Sequence, residues 1–89
     1  MIKRGKLEII KDILSVIQKN HNSIRTTPLI RQSNLSTFRF REYFSELLQK
    51  GFVKESGLGS EKRIRITDKG FRFLEKYKTI ISFIEEFEL

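Results

Sequence analysis

NLSTFRFREYFSELLQKGFVKESGLGSEKRIRI, residues 34–66, is the stretch whose reading decides the fold. Within it Phe40, Phe44, Leu47 and Leu48 fall in an arc of about 100° at helical spacing, which is the pattern of one buried face. Ser36 stands just before this run, where a hydroxyl can accept from the free N–H groups of a helix start. The helix is expected to run to Lys50, and Gly51 supplies the left-handed residue that ends such an element. Phe38, Arg39, Arg41, Glu42 and Ser45 point away from the buried arc. Two short alternating segments follow, Phe52-Val53-Lys54-Glu55 and Arg63-Ile64-Arg65-Ile66, joined by Ser56-Gly57-Leu58-Gly59-Ser60. They read as a hairpin with a loop longer than a tight turn. Ile64 and Ile66 face one side of it, and Arg63 and Arg65 the other.

Upstream, Ile10, Ile13, Leu14 and Ile17 repeat at i, i+3, i+4 and i+7 and predict a first helix. Asn20-His21-Asn22-Ser23 ends it, because such side chains compete for backbone hydrogen bonds. Thr27-Pro28 is expected to reopen a short helix from Pro28 to Gln32, with Thr27 as its cap. Ser33-Asn34-Leu35 reads as a tight turn whose Leu plugs the angle between helices.

Downstream, Thr67-Asp68 caps a last helix expected to reach about Phe87, some 20 residues and about 30 Å. Phe71 and Leu74 can pack on the domain. Phe73, Tyr77, Ile80, Ile84 and Phe87 step at heptad spacing, with Leu74 and Ile81 beside them. Beyond Lys78 such a helix overshoots a small domain, and its apolar residues exceed what one solvated helix carries. Pairing with a second copy through Phe73, Tyr77, Ile80, Ile81, Ile84 and Phe87 is the favoured reading. The alternative folds this helix back across the first one, Ile9 and Val16 included, within a monomer.

Eighty-nine residues allow one domain, here 1–89 with 68–88 as the long helix, and 38% hydrophobic content with eight Phe supports a core. The net charge of +7 is uneven: up to Ile66 there are 14 Lys/Arg against 6 Asp/Glu, and from Thr67 onward 4 against 5. A basic front part calls for a polyanionic partner, while the last helix has another task. With no cysteine, neither disulfides nor cysteinate metal sites can form. Apolar runs are too short for a membrane span, so a cytoplasmic protein is expected. His21, the only His, sits in a polar turn, and the carboxylates of Glu85, Glu86 and Glu88 diverge along a helix. No nucleophile has a recognisable partner and no phosphate-cradling glycine loop precedes a helix, so neither an enzyme nor a cofactor is expected.

The ordered set Lys6-Leu7-Glu8-Ile9-Ile10, Asn34-Leu35-Ser36, Tyr43, Leu47-Leu48, Lys50-Gly51-Phe52-Val53, Ile66-Thr67-Asp68-Lys69-Gly70 and Phe73-Leu74-Glu75 resembles the small archaeal winged-helix family of dimeric DNA-binding proteins and transcriptional regulators. The resemblance spans nearly the whole chain. It implies a mainly α fold with a small β-hairpin: three helices, a two-stranded wing, and a long C-terminal helix that pairs in an antiparallel coiled coil. It also implies that the third helix enters a major groove while the wing touches the minor groove or backbone. On that reading Arg39 and Arg41 are candidates for base-edge or phosphate contact, since guanidinium pairs bidentately with guanine or phosphate. Ser36 and Thr37 can donate to a phosphate at the helix start. Lys62, Arg63 and Arg65 are expected on the DNA backbone, with no helix partner to neutralise them, and Arg25 and Arg31 are expected to clamp phosphates. Phe38 departs from the family's polar residue; it either meets a thymine methyl or base step, or packs on a neighbouring helix. The wing is longer and richer in Gly than in many relatives, as for a tip that orders on DNA. The expected function is duplex DNA binding as a homodimer, in transcription regulation or chromosome organisation. A protein-interaction module of the transcription machinery and an RNA binder are the rival readings.

Overall fold

The computed structural model describes residues 5–89; residues 1–4, the start of the expected domain, lie outside the described residues. Helix α1 spans Lys6–Lys19 and buries Ile9, Ile10, Ile13, Leu14 and Ile17, the predicted stripe with one more Ile. It stops where His21 and Asn22 take positive φ of 60° and 56°. Asn tolerates that region better than most residues, and the turn reverses the chain at little cost. Asn22 then does a second job, its Oδ1 accepting from the backbone N–H of Ile66 at 2.7 Å.

Helix α2 spans Thr26–Ser33, starting earlier and ending one residue later than expected. Thr27 is therefore not its cap; Arg25 holds the cap position, without a side-chain hydrogen bond. Pro28 falls on the third helical residue, which the helix tolerates because its first four N–H groups have no internal partner. Ser33 is not a turn residue but the buried last residue of the helix. Asn34, left-handed at φ 56°, makes the turn, and Leu35 packs against the core as anticipated.

Helix α3 spans Thr37–Gln49. Ser36 Oγ accepts from Arg39 N at 3.2 Å, so the predicted cap is made. Phe40 and Phe44 stack with ring centroids 5.2 Å apart and, with Leu47, form the buried face. Gly51 (φ 76°) closes the helix, its N–H bonding Leu48 O while Phe52 N–H reaches Leu47 O. That pair of bonds satisfies carbonyls the helix end leaves free.

Strands β1 (Val53–Ser56) and β2 (Arg63–Ile66) pair antiparallel in the register Val53↔Ile66, Lys54↔Arg65, Glu55↔Ile64 and Ser56↔Arg63. Val53, Ile64 and Ile66 face the core, and Lys54, Ser56, Arg63 and Arg65 face outward. Ile24 adds a single bridge to Ile64, tying the segment between α1 and α2 to the wing. The wing tip is a tight structure: Gly59–Glu61 form a 3₁₀ turn closed by Glu61 N to Leu58 O and Lys62 N to Gly59 O. A Cβ on Gly57 would lie 2.5 Å from Glu61 O, so only glycine fits that approach.

Helix α4 spans Asp68–Glu86, 19 residues or about 28 Å. Thr67 caps it by accepting from Gly70 N at 3.3 Å. Its first half lies across α1, with Leu74 in the common core, Phe71 packed against it and the Lys11 ammonium 5.8 Å from the Tyr77 ring centroid. Its second half turns Ile81, Ser82 and Glu85 to a groove shared with Lys11, Ser15 and Gln18 of α1 and leaves Ile80, Phe83, Ile84 and Phe87 exposed; the molecule measures 47 × 28 × 22 Å.

Candidate nucleic-acid interface

At 100° per residue, Arg39 and Arg41 lie about 160° apart around α3. They flank an exposed crest that carries Phe38, Glu42 and Ser45. Arg39 leans toward the start of α1: its guanidinium sits over the Tyr43 ring, 6.0 Å from the centroid, and shares a shallow cleft with Lys6, Glu42, Tyr43 and Glu46. Glu46 is occupied there by Lys6 at 2.9 Å and Lys50 at 3.3 Å. The hydrogen bond from Lys6, aided by that from Lys50, holds its carboxyl below the usual carboxylate range. Arg41 stands exposed on the other flank and forms no ion pair with Glu42 or any other acid among the described residues.

Phe38 packs on no neighbouring helix; it is 73% exposed on the first turn of α3. Ser36 is a genuine cap, so its Oγ is already engaged as an acceptor, whereas Thr37 is exposed beside it.

The wing divides in two. Arg65 lies at its base, directly across from Lys54, in a cleft with Asn22, Thr67, Asp68 and Lys69. Two like charges facing each other across strands repel, and an anion settling on them removes that cost. Arg63 lies nearer the tip. Lys62 departs from expectation, because it has a partner: its Nζ is 3.5 Å from Glu55 Oε2 on the neighbouring strand.

Around the tip the structure joins segments that the sequence kept apart. Arg25, Thr26, Thr27 and Pro28 at the start of α2 line one cleft of about 520 Å³ with Gly59, Ser60 and Lys62 of the wing. The cleft adds Thr26, Thr27 and Ser60 to Arg25, the residue expected there from the sequence. A doubled hydroxyl ahead of Pro28 is the available signal, and it suits a helix cap as well as a phosphate contact. Leu58 is 87% exposed at the tip. The candidate cations stand on the two flanks of α3, on the outward face of the wing, and at the start of α2. Arg31, on α2, is exposed as well.

Of the proposed pairing residues, Phe73 and Tyr77 are half-buried within their own chain, Phe73 meeting Phe52 edge-on at 5.7 Å and stacking on Tyr77 at 6.2 Å. Ile80, Ile84 and Phe87 are exposed, together with Phe83, while Ile81 is half-buried in a groove between α1 and α4. Among the described residues no helix is long and apolar enough to cross a membrane, and no group of three or more His, Cys, Asp or Glu is placed to hold a metal ion.

Three helices, a bridged two-stranded hairpin and a capped third helix with a free outer face define a winged helix-turn-helix protein. The chain belongs to the winged helix-turn-helix family, whose sequence profile matches residues 3–85. Its fold is shared with Sso10a-2, a DNA-binding protein from Sulfolobus solfataricus, at a TM-score of 0.78 and 22% identity over 96% of this chain and 86% of that one. SSV1 F-93 is 30% identical over 88% of this chain and 91% of its own, with a TM-score of 0.63. AF1382 from Archaeoglobus fulgidus is 24% identical over 96% of this chain and 92% of its own, with a TM-score of 0.70. No curated protein matches the sequence significantly.

Proposed function

We propose that this chain binds duplex DNA as a homodimer and acts in transcription regulation or chromosome organisation. One observation carries the reading: Arg25, Arg31, Arg39, Arg41, Arg63 and Arg65 are all exposed on the helix-turn-helix and wing, and none is ion-paired among the described residues. Guanidinium groups left without carboxylates are suited to phosphates, which accept two parallel N–H bonds. The DNA-binding structural relative Sso10a-2 supports the choice of partner.

The distribution of these cations revises their individual roles. A helix lying in a major groove has a phosphate wall on each side, so Arg39 and Arg41, on opposite flanks of α3, reach the two strands. Phe38, Ser45 and Glu42 on the crest face the base edges. Phe38 meets a thymine methyl, and Glu42 accepts from a cytosine amino group. The cleft between the start of α2 and the wing tip takes the next phosphates, using Arg25 and the hydroxyls of Thr26, Thr27 and Ser60.

The second half of α4 is the dimerisation element, and its charge order sets the direction of pairing. Lys69, Arg72, Lys76 and Lys78 stand in the first part of α4, and Glu85, Glu86 and Glu88 gather at the far end of the chain around Phe87. Parallel pairing would set three acids against three acids, whereas antiparallel pairing brings each acidic end onto a basic one. Fluorescence anisotropy with a mixed-sequence duplex tests the proposal. Affinity is expected to fall steeply with salt, and Arg39→Ala or Arg41→Ala should each reduce the slope by about one in log–log terms. Binding that is absent at low salt, or an RNA duplex bound better than DNA, would overturn it.

A further inference from the structure

We propose that the joint between the end of α3 and the start of α4 makes the two helices one rigid body. Thr67, Lys69 and Gly70 thereby act as positioning residues that set the spacing between two DNA half-sites. The spacing clause rests on the proposed α4-paired, DNA-binding dimer; the rigidity of the joint does not.

The carbonyls just past the end of α3 are met by donors at the start of α4. Lys69 Nζ donates to Lys50 O at 2.7 Å and lies 4.7 Å from the Phe52 ring centroid. This places a cation at the negative end of the α3 dipole. Thr67 Oγ1 donates to Gly51 O while accepting from Gly70 N, so one hydroxyl joins the end of one helix to the start of the other. Thr67 N donates to Phe52 O at 3.1 Å. Gly70 completes the contact: a Cβ there would lie 2.5 Å from both Phe52 O and Ile66 Cγ2. The edge of Phe73 on Phe52 extends the same seam by one turn of α4.

Tilting α4 against α3 would break these bonds together. Half-site spacing is a geometric property of how a dimer holds its reading helices. If α4 pairing fixes one subunit against the other, the joint passes that geometry undiminished to α3. A protein whose reading helices hung on flexible connections would instead accept many spacings.

The test uses the whole chain. Because it contains no cysteine, Ser45→Cys and Lys76→Cys place a unique pair of spin labels on α3 and α4. Dilution with unlabelled protein leaves only distances within one chain. A single narrow distance is expected, widening by about twofold or more in Thr67→Val/Lys69→Ala, with Lys69→Arg retaining the narrow one because guanidinium can also reach Lys50 O and cover Phe52. In parallel, unlabelled proteins are titrated with duplexes carrying two selected half-sites at varied separation. The unaltered protein should discriminate among spacings within one helical turn by at least about tenfold, and the double variant by less than about threefold. The sedimenting mass should stay the same, and the affinity lost with the Lys69 charge beside Arg65 should fall equally on every spacing, leaving the ratio between spacings as the readout. A broad label distance in the unaltered protein, or a double variant that keeps both the narrow distance and the spacing preference, overturns the proposal. Should the protein prove monomeric or bind no DNA, the proposed function and the spacing clause fall together, while the label distances still decide whether the joint is rigid.

Discussion

Replacing Phe83 and Phe87 by Ala should dissolve the proposed dimer while leaving the fold intact. The two rings pack on each other, centroids 4.8 Å apart, and remain 54% and 57% exposed at the end of α4. Full burial of a large apolar side chain is worth about 1.5–3 kcal/mol, so covering the exposed half of each ring yields about 0.8–1.5 kcal/mol. Four rings enter the proposed symmetric interface, and their loss therefore costs about 3–6 kcal/mol of association free energy, or about 10²–10⁴ in the dimer Kd. The isolated chain loses little, because neither ring belongs to its core and Ala is the better helix former. Sedimentation equilibrium over a wide concentration range reads the dimer constant, and thermal unfolding of the diluted protein reads the fold. A dimer constant within threefold of the unaltered protein's would refute the assignment of this surface, as would an unaltered protein that stays monomeric at high concentration.

Three further outcomes follow from particular residues. Ser36→Ala removes the acceptor for Arg39 N and should lower stability by about 1 kcal/mol, seen as a reduced denaturant midpoint with an unchanged slope. Phe38→Ser should leave stability nearly unaltered, since the ring is already in water, yet change the sequences recovered when duplexes are selected from a random pool. Glu46, whose carboxyl titrates below its ordinary value of 4.5 chiefly through the Lys6 hydrogen bond, stabilises the folded chain above that value. The contribution fades as pH falls through the lower, folded-state value. The stability difference between the protein and Glu46→Gln should accordingly be present at neutral pH, vanish in acid, and shrink with salt because the group is exposed.

Helix α3 was readable to within a residue because its signals are local: a serine that caps, a glycine that ends, and a phenylalanine spacing that shows one face. The start of α2 was not. Thr26, Thr27 and Pro28 all suit the first turn of a helix, and nothing in their order says which position each takes. The heptad pattern of α4 ran evenly from Phe73 to Phe87, yet only its second half lies free, since Phe52 and Lys11, from elsewhere in the chain, cover Phe73 and Tyr77. Lys62 looked unneutralised because the pairing register that brings Glu55 near it is absent from local spacing. Arg39 and Arg41 were grouped as one exposed arc although helical geometry sends them to opposite flanks, and that division changes what each is proposed to touch. The bond of Lys69 to Lys50 O could not be foreseen, because it depends on the wing folding back to bring residues 50 and 69 together.

The central claim, that α3 with the wing and the start of α2 forms one duplex-binding surface, is tested most directly by amide chemical-shift mapping. The labelled protein is titrated with a duplex recovered by selection. Shifts are expected at Ser36 to Ser45, at Gly57 to Arg63 and at Arg25 to Thr27, with the distal half of α4 unaffected. Shifts gathered on the outer face of α1 or along Ile80 to Phe87, with α3 and the wing silent, would contradict the account.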